Sequence, residues 1–286
     1  MRLEACGDGH APGMTDVRYD LRQSFRYDYD APALSLLHRL VVVPPARHGD
    51  QRLRSGVVQV SDPSAQVDWH IDGHGNRVCT VRLAVVPRSV AMHVSVVVER
   101  YGEPGPVDPG LLADPRLREP SWLTVASPQI RRLAARHARR ADPLASADEV
   151  CRLVPELVRY VPGATSVRTT AAQALARGEG VCQDQAHVML AVLRAAGIAC
   201  RYVSGHLVGE GGTHAWVELV LPDRRAARTV AFDPCHACRA DARYLTVAVG
   251  RDYLDVPPTS GWYSGPARGT LTGARELVSM SLAGQL

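Results

Sequence analysis

Gly178-Glu-Gly-Val-Cys182-Gln-Asp184-Gln-Ala-His187, running on through Val188 to Gly197, is the stretch from which the fold can be read. Two glycines stop a short Ala-rich helix expected over Thr170 to Arg177. The apolar run from Cys182 to Ala196 then predicts a long helix, with Gly197 where a left-handed residue is wanted after its end. Cys182 therefore opens a helix. Its sulfur lies near unpaired backbone N–H groups and the positive end of the helix dipole, which favour a thiolate, and its own amide is placed to donate to an oxyanion.

Towards the C-terminus, Cys200 to Leu207, His214 to Leu221 and Thr229 to Phe232 read as strands. On the second of these, His214, Trp216 and Glu218 share one face, and Ala215, Val217 and Leu219 share the other. Asp233 closes the third strand, just before Pro234, where a carboxylate can accept from the far nitrogen of His214 and fix its tautomer. Taken singly, each residue has a plain reading: a buried thiol, a core histidine, a turn former. Together, in the order Cys182, His214, Asp233, they supply a nucleophile, a base and an orienting acid.

Towards the N-terminus the period changes. A helix is expected from Ser127 to about Arg140, and Ser146 with Glu149 has the spacing of a capping box for another, which Pro155 should kink or divide. Gly102-Glu-Pro-Gly-Pro-Val-Asp-Pro-Gly110 suits neither a helix nor a central strand and marks a linker. Before it, apolar alternation in Val17 to Tyr29, Leu40 to Val43, Val57 to Val60, Val67 to Ile71, Val78 to Val86 and Ala91 to Val98 predicts short strands. Turn residues separate them, including the hairpin signal Asp72-Gly-His-Gly-Asn76. The expected fold class is α+β: a tail at 1–14, an antiparallel β-sandwich at 15–101, a linker at 102–122 and a catalytic domain at 123–286.

Composition narrows the chemistry. The chain has 286 residues, 46% hydrophobic and 22% charged, an ordinary globular balance. All 33 basic residues are Arg, which removes the phosphate-binding GxxxxGK[ST] loop and every covalent-lysine mechanism. A net charge of +4, with arginines scattered among acids, argues against nucleic acid as a partner. No run of about twenty apolar residues suggests a membrane span. The first twenty residues lack the apolar core of an export signal, so a cytoplasmic chain with reduced thiols is expected despite its seven cysteines.

The chain resembles the transglutaminase-like superfamily, in particular its bacterial group with an N-terminal β-sandwich. The resemblance rests on Gly180-Val-Cys182-Gln-Asp184-Gln-Ala-His187, Arg201-Tyr-Val-Ser-Gly205, His214-Ala-Trp-Val-Glu218 and Phe232-Asp233-Pro234. Val247 to Tyr253 with Asp255-Val-Pro257, and Tyr19 to Leu40, also match, so it covers about residues 15 to 265. It implies a papain-like core with Cys182 as nucleophile, His214 as base and later acid, and Asp233 as orienter, acting without cofactor. Asp184 and His187, within the matched motif, are expected as supports, and Trp216 as a shield or packing partner for His214. Gly209-Glu-Gly-Gly212 is expected to form a rim loop or an ordinary hairpin connection.

Superfamily members with this triad form a thioester on cysteine and differ in what resolves it. Water makes a peptidase or amidase, an amine makes a transglutaminase, and an internal carbon closes a ring. The chain is similar in size and build to cyclases that perform Dieckmann condensation to tetramate rings in antibiotic biosynthesis. That likeness implies a β-ketoacyl-aminoacyl thioester presented by an acyl or peptidyl carrier protein. A non-catalytic binding module on the same fold is the alternative of another class. Cys235-His-Ala-Cys238 departs from the group's pattern. It is half of a zinc site, so no metal is expected there, and reversible pairing of its thiols or a simple loop remain as readings.

Overall fold

The computed structural model describes residues 17–102, 107–224 and 226–281; the tail expected at 1–14 lies outside them. Strands β1 (Val17–Tyr29), β2 (Ala33–Val43), β3 (Arg47–His48), β4 (Gln51–Val60), β5 (Gln66–Ile71), β6 (Arg77–Val86) and β7 (Ser89–Arg100) build the N-terminal sandwich. Alternation decides which side chains turn inward. In β1, Tyr19, Leu21 and Phe25 are buried while Arg22 and Arg26 stay in solvent, and in β7 the buried set is Val90, Met92, Val94, Val96 and Val98. These pack against Leu36 and Leu40 of β2 and Val81 and Leu83 of β6 in one core. The hairpin expected at Asp72 to Asn76 is present. Asp72 Oδ1 accepts from the backbone N–H of His74 at 2.8 Å and of Asn76 at 2.9 Å.

The second half follows as α1 (Pro128–His137), α2 (Pro143–Leu157), β8 (Arg159–Tyr160), α3 (Ala171–Arg177), β9 (Glu179–Gly180), α4 (Cys182–Ala195), β10 (Cys200–Leu207), β11 (His214–Asp223), β12 (Ala226–Asp233), β13 (Cys238–Arg239) and β14 (Tyr244–Gly250). The last five form an antiparallel sheet in the order β13-β12-β11-β10-β14. Helix α4 is the centre of this half: α1, α2 and α3 pack around it, and its Val188, Leu190 and Val192 share a core with Ala215, Val217 and Leu219 of β11. That accounts for its lack of a polar stripe, since a helix enclosed on all sides has no solvent face. No helix among the described residues is long and apolar enough to cross a membrane.

Three expectations are corrected. The second helix starts a turn earlier than the Ser146 signal: Asp142 caps it by accepting from Ala145 N–H, and Pro143 occupies the first turn. Ser146 instead bonds Arg139 and Asp142, and Glu149 pairs with His137 at 2.7 Å. Pro155 does not divide the helix, which runs on to Leu157; standing in the last turn, it interrupts a ladder that is about to end. Within the expected linker, 107–122 packs against the catalytic sheet. Val107 bridges to Ala227, and Leu117 is buried beside Val220.

The region 123–286 is also not one domain. Strand β15 (Thr259–Ser264) pairs with β2, and β16 (Gly269–Ser281) pairs with β1 along its whole length, so the chain returns to complete the sandwich. The sandwich sheets run β16-β1-β7-β4-β3 and β15-β2-β6-β5. The halves are stitched by amides. Strand β14 is the edge of the catalytic sheet, and the Gln51 side chain bonds the backbone N–H and C=O of Thr246 at 2.8 and 3.0 Å. Asn76 does the same for Val249, both bonds at 2.8 Å. Two side chains thus cover an edge that would otherwise present unpaired backbone groups.

Candidate active site

The turn before Cys182 is built by local rules. Thr170 and Gln173 cap α3 reciprocally, Gly178 ends it at φ 72°, and the parallel pairing of β8 with β9 sets Tyr160 beside Gly180. Asp184 then reaches back, its Oδ2 accepting from Val181 N–H at 2.8 Å and Thr165 Oγ1–H at 2.6 Å. A Cβ at Gly180 would lie 2.6 Å from the Asp184 Cβ, so the bend requires glycine at that point. Burial holds the Asp184 carboxyl above its ordinary value. His187, fully buried, accepts at Nε2 from Tyr253 N–H at 3.2 Å, and burial lowers it to about 4, leaving a neutral ring that fastens α4 to the turn after β14. The hydrogen-bond partners of both residues lie in the scaffold around α4.

Cys182 is half-buried and stands near enough to His214, at the start of β11, to help raise that imidazole. The other side of the imidazole is committed: His214 Nε2–H donates to Asp233 Oδ2 at 2.7 Å. Asp233 is wholly buried, yet accepts at Oδ2 also from His236 Nδ1–H at 2.7 Å and Tyr244 OH at 2.8 Å, and at Oδ1 from the N–H of Cys235 at 2.8 Å. Burial alone would raise this carboxyl; the donors, His214 first, outweigh it and hold it well below the usual carboxylate range. Burial alone would likewise lower His214, but Asp233 and Cys182 outweigh that too and raise it to about 10. Trp216 stacks at 6.1 Å from the His214 ring and meets Tyr244 edge-on at 5.3 Å, closing the buried side of the pair.

Cys182, His214 and Asp233 are thus brought together, with Trp216 against them. Three partners went unread. His236 was visible only as part of the Cys-His-Ala-Cys run, and its ring folds back onto Asp233 because a turn with Ala237 at φ 52° follows the strand. Glu210 stands in the glycine-rich rim loop, its carboxylate 3.4 Å from His214 Nδ1 and 3.4 Å from His236 Nε2. Tyr244 comes from β14 by sheet topology, with no local signal. Cys235 keeps a free thiol, pushed far up by burial and by Asp233. A bond between Cys235 and Cys238 is therefore not formed. His214, Asp233 and His236 are a group of side chains whose ligand atoms, within 4.8 Å of one another, could hold a metal ion.

Residues 131–234 match the family described as transglutaminase-like superfamily, and residues 19–99 match the bacterial transglutaminase-like N-terminal region. An uncharacterized protein of Mycobacterium leprae is 35% identical over 157 residues, 51% of this chain and 54% of that protein. An uncharacterized protein of Mycobacterium tuberculosis is 39% identical over 114 residues, 36% of each chain. The chain spans about half the length of these relatives or less. A crystal structure described as a proposed cysteine protease from Cytophaga hutchinsonii superposes with a TM-score of 0.73 at 19% identity, covering 95% of this chain and 92% of that one; it has the same fold.

Proposed function

The chain belongs to the transglutaminase-like superfamily, and on that premise we propose that it is a cysteine-dependent acyl-transfer enzyme working through a thioester on Cys182. The observation that carries the proposal is the imidazole of His214, whose Nε2 is bound to Asp233 at 2.7 Å while Cys182 stands near enough to the same ring to help raise it. His214, protonated below about pH 10, holds the proton taken from Cys182 while the sulfur attacks the carbonyl, and the Cys182 amide N–H at the start of α4 would donate to the developing oxyanion. The proton then passes from His214 to the leaving amine or thiol. A second nucleophile loses its proton to His214, attacks the thioester and frees the sulfur as thiolate, which recovers the proton. Asp233 keeps the imidazole in the tautomer this exchange needs.

Water or an amine is the acceptor we favour. Glu210 and His236, with side chains 38% exposed, stand beside His214, and half-exposed Tyr160 lies near Cys182, Cys235 and Glu210. A polar, partly exposed approach suits hydrolysis or amine exchange. The Dieckmann reading requires a thioester shielded from water until an internal carbanion reaches it, and no feature of this approach supports that. The carrier protein expected with it is set aside for the same reason. The cytoplasm remains the proposed compartment, to be checked by fractionation.

Incubation with an activated acyl ester, followed by intact-mass and peptide mapping, should find one acyl group on Cys182. Acylation confined to another cysteine would overturn the assignment. Release of free acid in buffer identifies a hydrolase, release only with added amine identifies amide exchange, and a cyclic tetramate from a β-ketoacyl-aminoacyl thioester would restore the cyclase.

A further inference from the structure

We propose that strand β5 is a self-association edge, on which a second copy of this chain lays its own β5 antiparallel and joins the two β15-β2-β6-β5 sheets into one. Among the described residues β5 ends its sheet and pairs with β6 alone, in unbroken register from Gln66 to Ile71. All six of its residues are exposed. Such an edge offers a row of backbone N–H and C=O groups to a further strand. It also has an apolar side. Val67 and Trp69 stand opposite the buried Val81 and Cys79 of β6, on the core side of the sheet, yet Val67, Trp69 and Ile71 remain 39%, 39% and 64% exposed. The other sheet edges among the described residues are less suited. β3, β8, β9 and β13 are two residues long, β15 loses register between Trp262 and Ser264, and Gln51 and Asn76 cover β14. In β16 the exposed Leu271 lies on one face and Val278 and Met280 on the other.

One register makes the strand complementary to itself. With Trp69 opposite the partner's Trp69, Val67 stands opposite the partner's Ile71 and Asp68 opposite the partner's His70, and the two-fold axis repeats the last two pairs. Apolar side chains then meet apolar ones on one face, and each carboxylate meets an imidazole on the other. Aromatic and opposite-charge pairs across an antiparallel ladder stabilise it, whereas like charges directly opposite destabilise it. A slip of one residue sets Val67 opposite the partner's His70 and turns the two apolar rows to opposite faces. A slip of two sets Asp68 opposite either the partner's Asp68 or the partner's Asp72. Arg82 pairs with Asp68, and the Arg77 guanidinium lies over the Trp69 ring at 5.3 Å, which steadies both side chains for the contact. The contact closes at two copies, because each β5 then has a neighbour on both sides.

The test does not depend on the acyl-transfer reading. Sedimentation equilibrium of the purified chain over a dilution series should show monomer and dimer in exchange. Ile71→Lys should weaken the dimer by at least about tenfold, since symmetry removes two apolar pairs at once. Asp68→Lys sets a cation opposite the partner's His70, and His70→Asp sets an acid opposite the partner's Asp68. Each should weaken the dimer about tenfold, and the double variant should restore it, because the charges have then changed places. On mild oxidation Trp69→Cys should cross-link two chains and Gln66→Cys should not, since only directly opposed residues come within disulfide reach. The proposal is overturned if the wild-type chain stays monomeric throughout the series, or if Ile71→Lys leaves a dimer unchanged. It is overturned too if the double variant associates no better than either single one, or if Trp69→Cys cross-links no more than Gln66→Cys.

Discussion

Strand β11 carries two histidine–carboxylate clusters on one face, and they differ in what they leave open. Glu218 is buried with both oxygens engaged: His48 Nε2–H donates at 2.7 Å, and Arg201 donates through Nε at 2.9 Å and through Nη2 at 2.8 Å. Burial would raise this carboxyl, but His48 and Arg201 outweigh it and lower it to about 2. His48 belongs to β3, so the cluster is a sealed clamp between the sandwich and the catalytic sheet. Four residues earlier, His214 is equally buried and equally tied to an acid, yet one side of its ring meets Cys182 and a polar rim. A buried ion pair with all its partners supplied holds structure. The same chemistry with one nitrogen left for a nucleophile can move a proton.

Substitutions should separate the two clusters. Cys182→Ala should abolish acylation, lowering turnover on the order of 10⁶-fold with the fold intact by circular dichroism, because no other group can form the thioester. Cys182→Ser should lose nearly as much. Asp233→Asn should keep the fold and cost about 10⁴-fold in kcat, since an amide favours the wrong His214 tautomer. A wild-type rate in that variant would make another residue the orienter. At the clamp, Glu218→Gln should act on stability: urea unfolding should show a loss of about 3–5 kcal/mol, the usual cost of breaking a buried pair. Activity per folded molecule should change little, and a collapse of kcat at unchanged stability would erase the distinction drawn between the clusters.

The smallest expected effects are on pH dependence, and they have opposite signs. Glu218 is lowered when folded, to about 2 against an unfolded value near 4.3, so its contribution is complete above about pH 4.3 and is lost as pH falls towards 2. His214 is raised when folded, to about 10 against about 6.5 unfolded, so its contribution is complete below about pH 6.5 and is lost as pH rises towards 10. The stability gap between wild type and Glu218→Gln should therefore close in acid, and that between wild type and His214→Gln should close in alkali. Gaps closing in the same direction would show that the two histidine–acid pairs are electrostatically alike.

The triad and the sandwich strands were legible because their signals are local. A cysteine after two glycines at the start of an apolar run, a histidine on an alternating strand and an aspartate before proline each announce themselves within about ten residues. The early return of the helix start to Asp142 was missed for a local reason too, since Asp142-Pro143 and Ser146 both cap well and packing chose between them. Strand β16 gives only a weak apolar pattern: Leu277 packs on the sandwich core, Leu271, Val278 and Met280 remain exposed, and backbone pairing with β1 runs along the whole strand.

The amino-acid sequence by itself determined most of the elements and their order, and put a cysteine at a helix start, a histidine on a strand and an aspartate before proline, because period, capping and turn chemistry act over a few residues. Tertiary structure alone decided the rest. It brought Asn76 to Val249, Gln51 to Thr246 and His48 to Glu218 across more than 150 positions, and set Tyr244, His236 and Glu210 around the His214–Asp233 pair. Those contacts depend on where two sheets and a buried helix come to rest against one another, and no window of sequence short enough to read by pattern contains both partners of the long-range ones.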